Sequence, residues 1–179
     1  MRYEKEGAAL KKYAIDLDIT KCISCGACSI ACMDQNDIDL STGVRPYRTV
    51  FREETRRTGE IRYYSMACMH CDNAPCVTAC PSGCLYKDPE TGLTLYNTQY
   101  CIGCHSCAMA CPFGAPTFGP DGKMRKCDGC IDRLRAGLEP ACVRSCTFGA
   151  LQLVKADEDP VPPEHSLVAQ CRELAESQK

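Results

Sequence analysis

Cys22-Ile23-Ser24-Cys25-Gly26-Ala27-Cys28-Ser29-Ile30-Ala31-Cys32 is the stretch on which the reading of this chain turns. Its spacing, Cys-x2-Cys-x2-Cys-x3-Cys, returns unchanged at Cys101, Cys104, Cys107 and Cys111. It returns with one gap widened to x4 at Cys68, Cys71, Cys76 and Cys80, and in a stretched form at Cys127-x2-Cys130-x11-Cys142-x3-Cys146. Four groups of four leave Cys84 and Cys171 over. A repeat this regular has to be explained before anything else in the chain.

The composition around the repeat agrees that cysteine organises the molecule. Eighteen of 179 residues are cysteine, a fraction typical of cysteine-built scaffolds, and Trp is absent. Leu, Ile, Val and Phe make up about 17% of the chain, below the ~20% at which an ordinary aliphatic core becomes doubtful. Lys plus Arg nearly balances Asp plus Glu, and a net charge of −2 gives no reason to expect a nucleic-acid partner. No run approaches the ~18 apolar residues that cross a bilayer, so direct membrane insertion is not expected. The segment from Met1 to Leu10 has no apolar run of a secretory signal, and Arg56-Arg57 lies too deep, with no apolar run after it, to act as a twin-arginine signal. A cytoplasmic chain is the default expectation, with co-export beside a signal-bearing partner as the other route. In a reducing compartment a dense cysteine pattern points to metal rather than to disulfides.

The spacing carries specific chemistry. In the bacterial ferredoxin run, three closely spaced thiolates wrap three corners of one [4Fe–4S] cubane, and the fourth cysteine ligates the other cluster of a pair. The x2 gaps let a tight loop present sulfurs while backbone N–H groups point at the cluster's sulfides. Pro81 and Pro112 follow the fourth cysteines of groups two and three, as in that run, whereas groups one and four carry Met33 and Thr147 there. Zinc is the plainer alternative, because paired Cys-x2-Cys units also build four-cysteine zinc sites. Zinc, however, gives no reason for a third cysteine at x2 followed by a fourth at x3.

Sixteen ligand thiolates and four oxidised cubane cores would move the formal charge from −2 to about −10, so local compensation is needed. Arg45, Arg48, Arg52, Arg56, Arg57 and Arg62 crowd the stretch between groups one and two, against Glu53, Glu54 and Glu60. Lys123, Arg125, Lys126, Arg133, Arg135 and Arg144 surround the fourth group. These cations either stabilise clusters, dock an acidic partner, or form a solvated charged face.

Short alternating segments flank the groups: Ile15, Leu17 and Ile19 before the first, Leu93 and Leu95 before the third, Leu151 and Leu153 after the last, each read as a half-buried strand. Lys87-Asp88-Pro89-Glu90-Thr91-Gly92 predicts a hairpin between Leu85-Tyr86 and Leu93–Tyr96, and Gly119-Pro120-Asp121-Gly122 punctuates another. A short helix is expected over Asp128 to Ala136, stopped by Gly137 and Pro140. Residues 156–179 begin proline-rich and end polar and helical, which reads as an arm rather than core.

From about Tyr13 to Val154 these motifs resemble the four-cluster ferredoxin-like subunit of molybdopterin oxidoreductases, the family of the electron-transfer subunit of dimethyl sulfoxide reductase. The stretches Lys21–Cys28, Cys68–Cys76, Tyr100–Cys104 and Lys126–Cys130, with Pro140-Ala141-Cys142 and Cys146, carry the likeness. The resemblance implies an α+β fold of two bacterial-ferredoxin-like dicluster modules, with short hairpins and helices around the clusters. An outer, discontinuous module would take 13–44 and 119–155, and a second, inserted module 61–118. An Arg-rich connecting loop would fill 45–60, and 156–179 would be a C-terminal arm. The implied ligands are cross-paired: Cys22, Cys25, Cys28 and Cys146 for one cluster; Cys32, Cys127, Cys130 and Cys142 for the second; Cys68, Cys71, Cys76 and Cys111 for the third; Cys80, Cys101, Cys104 and Cys107 for the fourth. The strands before the first group and after the last would then zip together.

Relatives commonly carry alanine at the position of Cys84, which reads as a small buried thiol near a cluster; Cys171 reads as a free thiol. His70 and His105 lie between ligand cysteines, and with every set complete in cysteine they read as loop fillers; His165 carries no signal. There is no phosphate loop, dinucleotide fingerprint or Cys-x3-Cys-x2-Cys radical triad. Closed cysteine ligation suits electron transfer, so the chain is expected to be non-catalytic. Its implied partner is a large molybdopterin subunit holding molybdenum or tungsten, with a membrane-anchor or other redox subunit as a further one. The competing readings are a polyferredoxin of another complex, such as a tungsten aldehyde oxidoreductase or hydrogenase-type assembly, and a structural zinc module.

Overall fold

A computed structural model of the chain describes residues 13–56, 59–155, 162 and 164–176. Its regular elements are short, and cysteine-bearing loops separate them. The strands are β1 (Tyr13–Leu17), β2 (Thr49–Glu54), β3 (Ile61–Met66), β4 (Leu85–Lys87), β5 (Thr94–Tyr96), β6 (Thr117–Phe118), β7 (Met124–Arg125) and β8 (Leu151–Lys155). The helices are α1 (Ala27–Gln35), α2 (Pro75–Thr78), α3 (Ser106–Ala110), α4 (Ile131–Arg135), α5 (Ala141–Arg144) and α6 (Leu167–Glu176). The strands form four separate antiparallel pairs, β1–β8, β2–β3, β4–β5 and β6–β7. The mixture is α+β, built from small hairpins and short helices.

The expected closure of the outer ends takes place. β1 pairs with β8 from Tyr13↔Lys155 to Leu17↔Leu151, so segments on either side of all four cysteine groups meet at one ladder. Helix α1 packs on α5, and α2 on α3. The first and fourth cysteine groups are thereby held together, as are the second and third. The core is correspondingly small and divided. Leu17, Ala150, Leu151 and Leu167 gather with Cys28 and Cys142. Ala74, Leu85 and Met124 gather with Cys76, Cys84 and Cys107. Leu93, Leu95 and Ile131 form a third cluster, flanked by Tyr13 and Leu134. Cysteine is a structural constituent of the first two, which accounts for a fold sustained by so few aliphatic residues.

Several local expectations shift. Residues 45–60 are not loop throughout, because Thr49–Glu54 is a strand paired with Ile61–Met66. The charged residues of that hairpin face water and obscure the alternation that would have revealed it. The helix expected from Asp128 begins only at Ile131: the Asp128 carboxylate accepts from the Cys130 amide, and Cys130 itself is left-handed (φ 54). The strand at Leu93 and Leu95 is buried on both faces, Thr94 included.

The stretch read as a C-terminal arm docks where it is described. Ser166 bridges to Asp18, and Leu167 enters the outer core. The buried Asp16 of β1 caps α6, accepting from Ser166 Oγ at 2.6 Å and from the Val168 amide at 3.1 Å. Such caps stabilise a helix start by about 1 kcal/mol. Most of the proline-rich stretch, and Arg57, lie outside the described residues.

Candidate iron–sulfur centres

Each cysteine group uses one local geometry. The residue before its second cysteine is left-handed in all four loops: Ser24 (φ 63), His70 (φ 47), Gly103 (φ 68) and Gly129 (φ 76). Placing such a residue in a tight loop turns successive N–H groups to one side, an anion-receiving concavity. The third cysteine then falls in the first turn of a helix: Cys28 in α1, Cys76 in α2, Cys107 in α3 and Cys142 in α5. The x3 gap places the fourth cysteine one helical turn further on, at Cys32, Cys80, Cys111 and Cys146.

Thiols from different groups converge. Cys22, Cys25, Cys28 and Cys146 line a hollow of about 350 Å³ walled by Leu17, Val50 and Leu151. Cys80, Cys101, Cys104 and Cys107 line another of about 280 Å³, together with Cys84, His105, Phe118 and Met124. Cys32 lies within electrostatic reach of Cys130 and Cys142, and Cys127 within reach of Cys142. Cys76 and Cys71 both sense Cys68 and Cys111. Backbone amides already aim at several sulfurs: Met124 at Cys101 (3.3 Å), Ala115 at Cys111, Gly129 at Cys127 and Leu151 at Cys146 (each 3.4 Å). Hydroxyls stand near Cys28 (Ser65, 3.2 Å) and Cys80 (Ser82, 3.6 Å).

The donor set fits clusters. Burial pushes Cys32 up to about 11 and Cys127 well above the ordinary thiol range, so deprotonation requires iron to drive it. Two buried donors, Arg48 Nε and His70 Nε2, have no hydrogen-bond partner among the described residues. His70 Nδ1 accepts from the Thr94 amide at 3.0 Å, which places the ring proton on Nε2. Orphaned buried donors are rare and ask for an acceptor, which sulfide-rich clusters supply. Burial, then Lys126, Lys87 and Arg48, holds the His70 pKa well below its usual value, so the ring is a neutral donor rather than a mere loop filler. Among the described residues no three His, Cys, Asp or Glu converge closely enough for a single ion.

The cations divide. Arg48 and Lys126 are buried, at 4% and 1% exposure, Arg48 facing Cys142, Cys127 and Cys28. Lys126 Nζ donates to the Thr94 and Cys127 carbonyls. Half-buried Lys87 donates to the His70 and Cys71 carbonyls. By contrast Arg52 pairs with Glu54 at 2.9 Å and Arg62 with Glu60 at 3.0 Å in the open, the solvated face. Arg45 reaches the Gly114 carbonyl, and Arg125 pairs with Asp121 at 2.7 Å. Charge runs alone did not separate these roles.

Of the two spare thiols, Cys84 is buried beside Cys101 and Cys80, which with burial push it up to about 11. Cys171 packs half-buried against the outer core, its pKa raised by burial and by Asp16. His105 stacks on Phe118, ring centroids 3.7 Å apart.

Comparison with known proteins accords with this arrangement. The model of a 4Fe-4S dicluster domain matches residues 59–156, and a second 4Fe-4S dicluster domain model matches residues 21–84. The B subunit of the anaerobic dimethyl sulfoxide reductase of Escherichia coli K12 is 35% identical over 155 residues, covering 82% of this protein and 75% of that one. The thiosulfate reductase electron transfer subunit PhsB of Salmonella typhi is 36% identical over 155 residues (84% and 79%). The iron-sulfur subunit of the nitrate-inducible formate dehydrogenase of Escherichia coli K12 is 36% identical over 151 residues, 75% of this protein and 51% of its own length. The fold and the four cysteine groups thus define a ferredoxin-like electron-transfer protein with four [4Fe–4S] clusters. The chain belongs to the dimethyl sulfoxide reductase iron–sulfur subunit family, the four-cluster electron-transfer subunits of molybdopterin oxidoreductases. Like those relatives it is a non-catalytic subunit of an oxidoreductase. Among the described residues no helix is long and apolar enough to cross a membrane.

Proposed function

We propose that this subunit serves a large catalytic subunit bearing a molybdenum or tungsten pterin, in an oxidoreductase of the dimethyl sulfoxide reductase type. When bound, the four clusters supply reversible one-electron transfer at closely spaced steps. Cys22, Cys25, Cys28 and Cys146 hold the first cluster, and Cys32, Cys127, Cys130 and Cys142 the second. Cys68, Cys71, Cys76 and Cys111 hold the third, and Cys80, Cys101, Cys104 and Cys107 the fourth. The outer module is 13–44 with 119–155, and the inserted one 61–118.

The observation that supports the ligand sets is the pairing of helices, α1 on α5 and α2 on α3, and the likeness to the dimethyl sulfoxide and thiosulfate reductase subunits supports the partner. The electrostatic influence of Cys68 on Cys127 supports a link between the second and third sets, and Arg48 lies between Cys28 and Cys142 of the first and second. That order runs from the first set to the fourth, and each end carries an exposed cysteine, Cys25 and Cys104. Those two cysteines mark where electrons enter and leave, and one adjoining face receives the catalytic subunit. A membrane-anchor or other redox subunit takes the remaining one. The residues between exclude water with Leu17, Leu85, Met124 and Leu151 and neutralise charge with Arg48 and Lys126.

Metal analysis of the complex recovered anaerobically through a tag on this chain tests the proposal. About sixteen irons per chain, with stoichiometric molybdenum or tungsten, is the expected result. Iron without a large pterin-bearing chain would instead make the protein a polyferredoxin of another complex. Zinc in place of iron would overturn the ligand sets.

A further inference from the structure

Arg48 sits just ahead of β2 and is almost wholly buried. Burying a guanidinium is strongly unfavourable unless anions and acceptors surround it. Its surroundings are specific. Nη1 donates to the Ser65 carbonyl at 2.8 Å and to Ser65 Oγ at 3.2 Å. Ser65 Oγ in turn lies 3.2 Å from Cys28 Sγ. Because that oxygen accepts from Arg48, its own hydrogen is free for the sulfur. Ser29 Oγ donates to the Arg48 carbonyl at 2.8 Å, which ties the residue to the helix carrying Cys28 and Cys32. Cys142, Cys127 and Cys28 are its anionic neighbours, and Nε–H has no partner among the described residues. Cys28 belongs to the first ligand set proposed above, and Cys142 and Cys127 to the second. Arg52 and Arg62 of the neighbouring hairpin have ordinary carboxylate partners in water instead.

We propose that Arg48 is a shared, permanently charged donor to the two clusters of the outer cysteine groups, raising the reduction potential of both, with Ser65 carrying its influence to the Cys28 side. The proposal rests on the ligand sets above. Each one-electron reduction adds a negative charge to a cluster, so a fixed cation stabilises the reduced form more than the oxidised one. Arginine suits the position because it cannot shed its proton when buried, and its planar fork serves two acceptors at once. One residue thereby couples two neighbouring stations of the relay.

The test is an anaerobic potentiometric titration followed by electron paramagnetic resonance, made on the full chain in its native complex with iron counted in parallel. In Arg48→Gln with its iron retained, two of the four reduction steps become at least tenfold less favourable, about 59 mV lower for a one-electron couple. The other two move less than half as far. Arg48→Lys, which keeps the charge, returns both steps to within threefold of the unaltered protein. Ser65→Ala lowers one step alone, by at least threefold. An iron-replete Arg48→Gln protein in which no step, one step or all four steps move alike overturns the proposal. If that variant sheds its iron, Ser65→Ala decides: a titration within threefold at every step overturns it. Missing iron or a zinc load in the unaltered protein would instead mark failure of the ligand sets, before any variant is compared.

Discussion

Around the first and last cysteine groups, the buried cation is Arg48, set among Cys28, Cys127 and Cys142, and the enclosing structure is a ladder joining sequence-distant strands, β1 and β8. Around the middle groups the enclosing structure is local, the hairpin of β4 and β5, and the buried cation is Lys126, near Cys76. The hollow of Cys80, Cys101, Cys104 and Cys107 is closed by a thiol, Cys84, and by the stacked rings of His105 and Phe118. The groups that influence Cys104 and Cys107 most are Ser106, backbone amides and neighbouring cysteines. One ligand motif is thus set in two electrostatic environments. The motif provides the cluster, and surrounding charge is one of the levers by which a protein tunes a cluster's potential.

The sharpest way to break that comparison is to remove one ligand from each region. Cys142→Ala should cost the second cluster and also deprive buried Arg48 of one of the thiolates around it, a loss of about 3 kcal/mol. Cys104→Ala, at an exposed position, should lower the iron content by about a quarter and leave the fold much closer to intact. Denaturant unfolding with iron quantified in each variant checks this; equal destabilisation would erase the distinction.

The next effect concerns how the outer region is closed. Asp16→Ala removes the acceptor for both Ser166 Oγ and the Val168 amide, and leaving such donors unmet costs about 1–3 kcal/mol. Hydrogen exchange should then accelerate across Leu167–Glu176 while β4 and β5 keep their protection. Exchange rising equally in the inner hairpin would mean that the two regions open as one unit.

The smallest effects lie in the cluster loops. At Gly129 a Cβ would stand 2.7 Å from Leu93 Cδ1, in a left-handed residue packed on a core leucine. Gly129→Ala should therefore cost about 2 kcal/mol. Ser24 holds the equivalent left-handed position with an ordinary side chain, so Ser24→Gly relieves strain against added chain entropy and should gain about 0.5 kcal/mol. Thermal unfolding of the two loaded variants reads the contrast, and a loss at Ser24 would show that its hydroxyl does more than occupy the turn.

Much of this molecule was legible in its cysteines. Four groups with x2 and x3 gaps dictate tight loops followed by a helical turn, because sulfurs must surround a cluster and then step past it. Short hairpins followed from Asp-Pro and Gly-Pro-Asp-Gly turns, and the strands at Ile15 and Leu17 and at Leu151 and Leu153 followed from their alternation, whereas their meeting was implied by the family resemblance. What the pattern could not convey was which charges go inside. Arg48 and Arg52 belong to one basic run, yet one is buried among thiols and the other pairs with Glu54 in water. His70 reads as filler in the sequence, whereas in the fold the Thr94 amide fixes its proton on an orphaned nitrogen. The β2–β3 hairpin and the docking of α6 on Asp16 escaped for the same reason, since both present polar residues whose partners the pattern does not reveal. By itself, then, the sequence determined the chemistry of the ligands, because donor type and loop geometry follow from local spacing. Only the tertiary structure decided how each centre is compensated, because burial and electrostatics depend on which distant groups share a space.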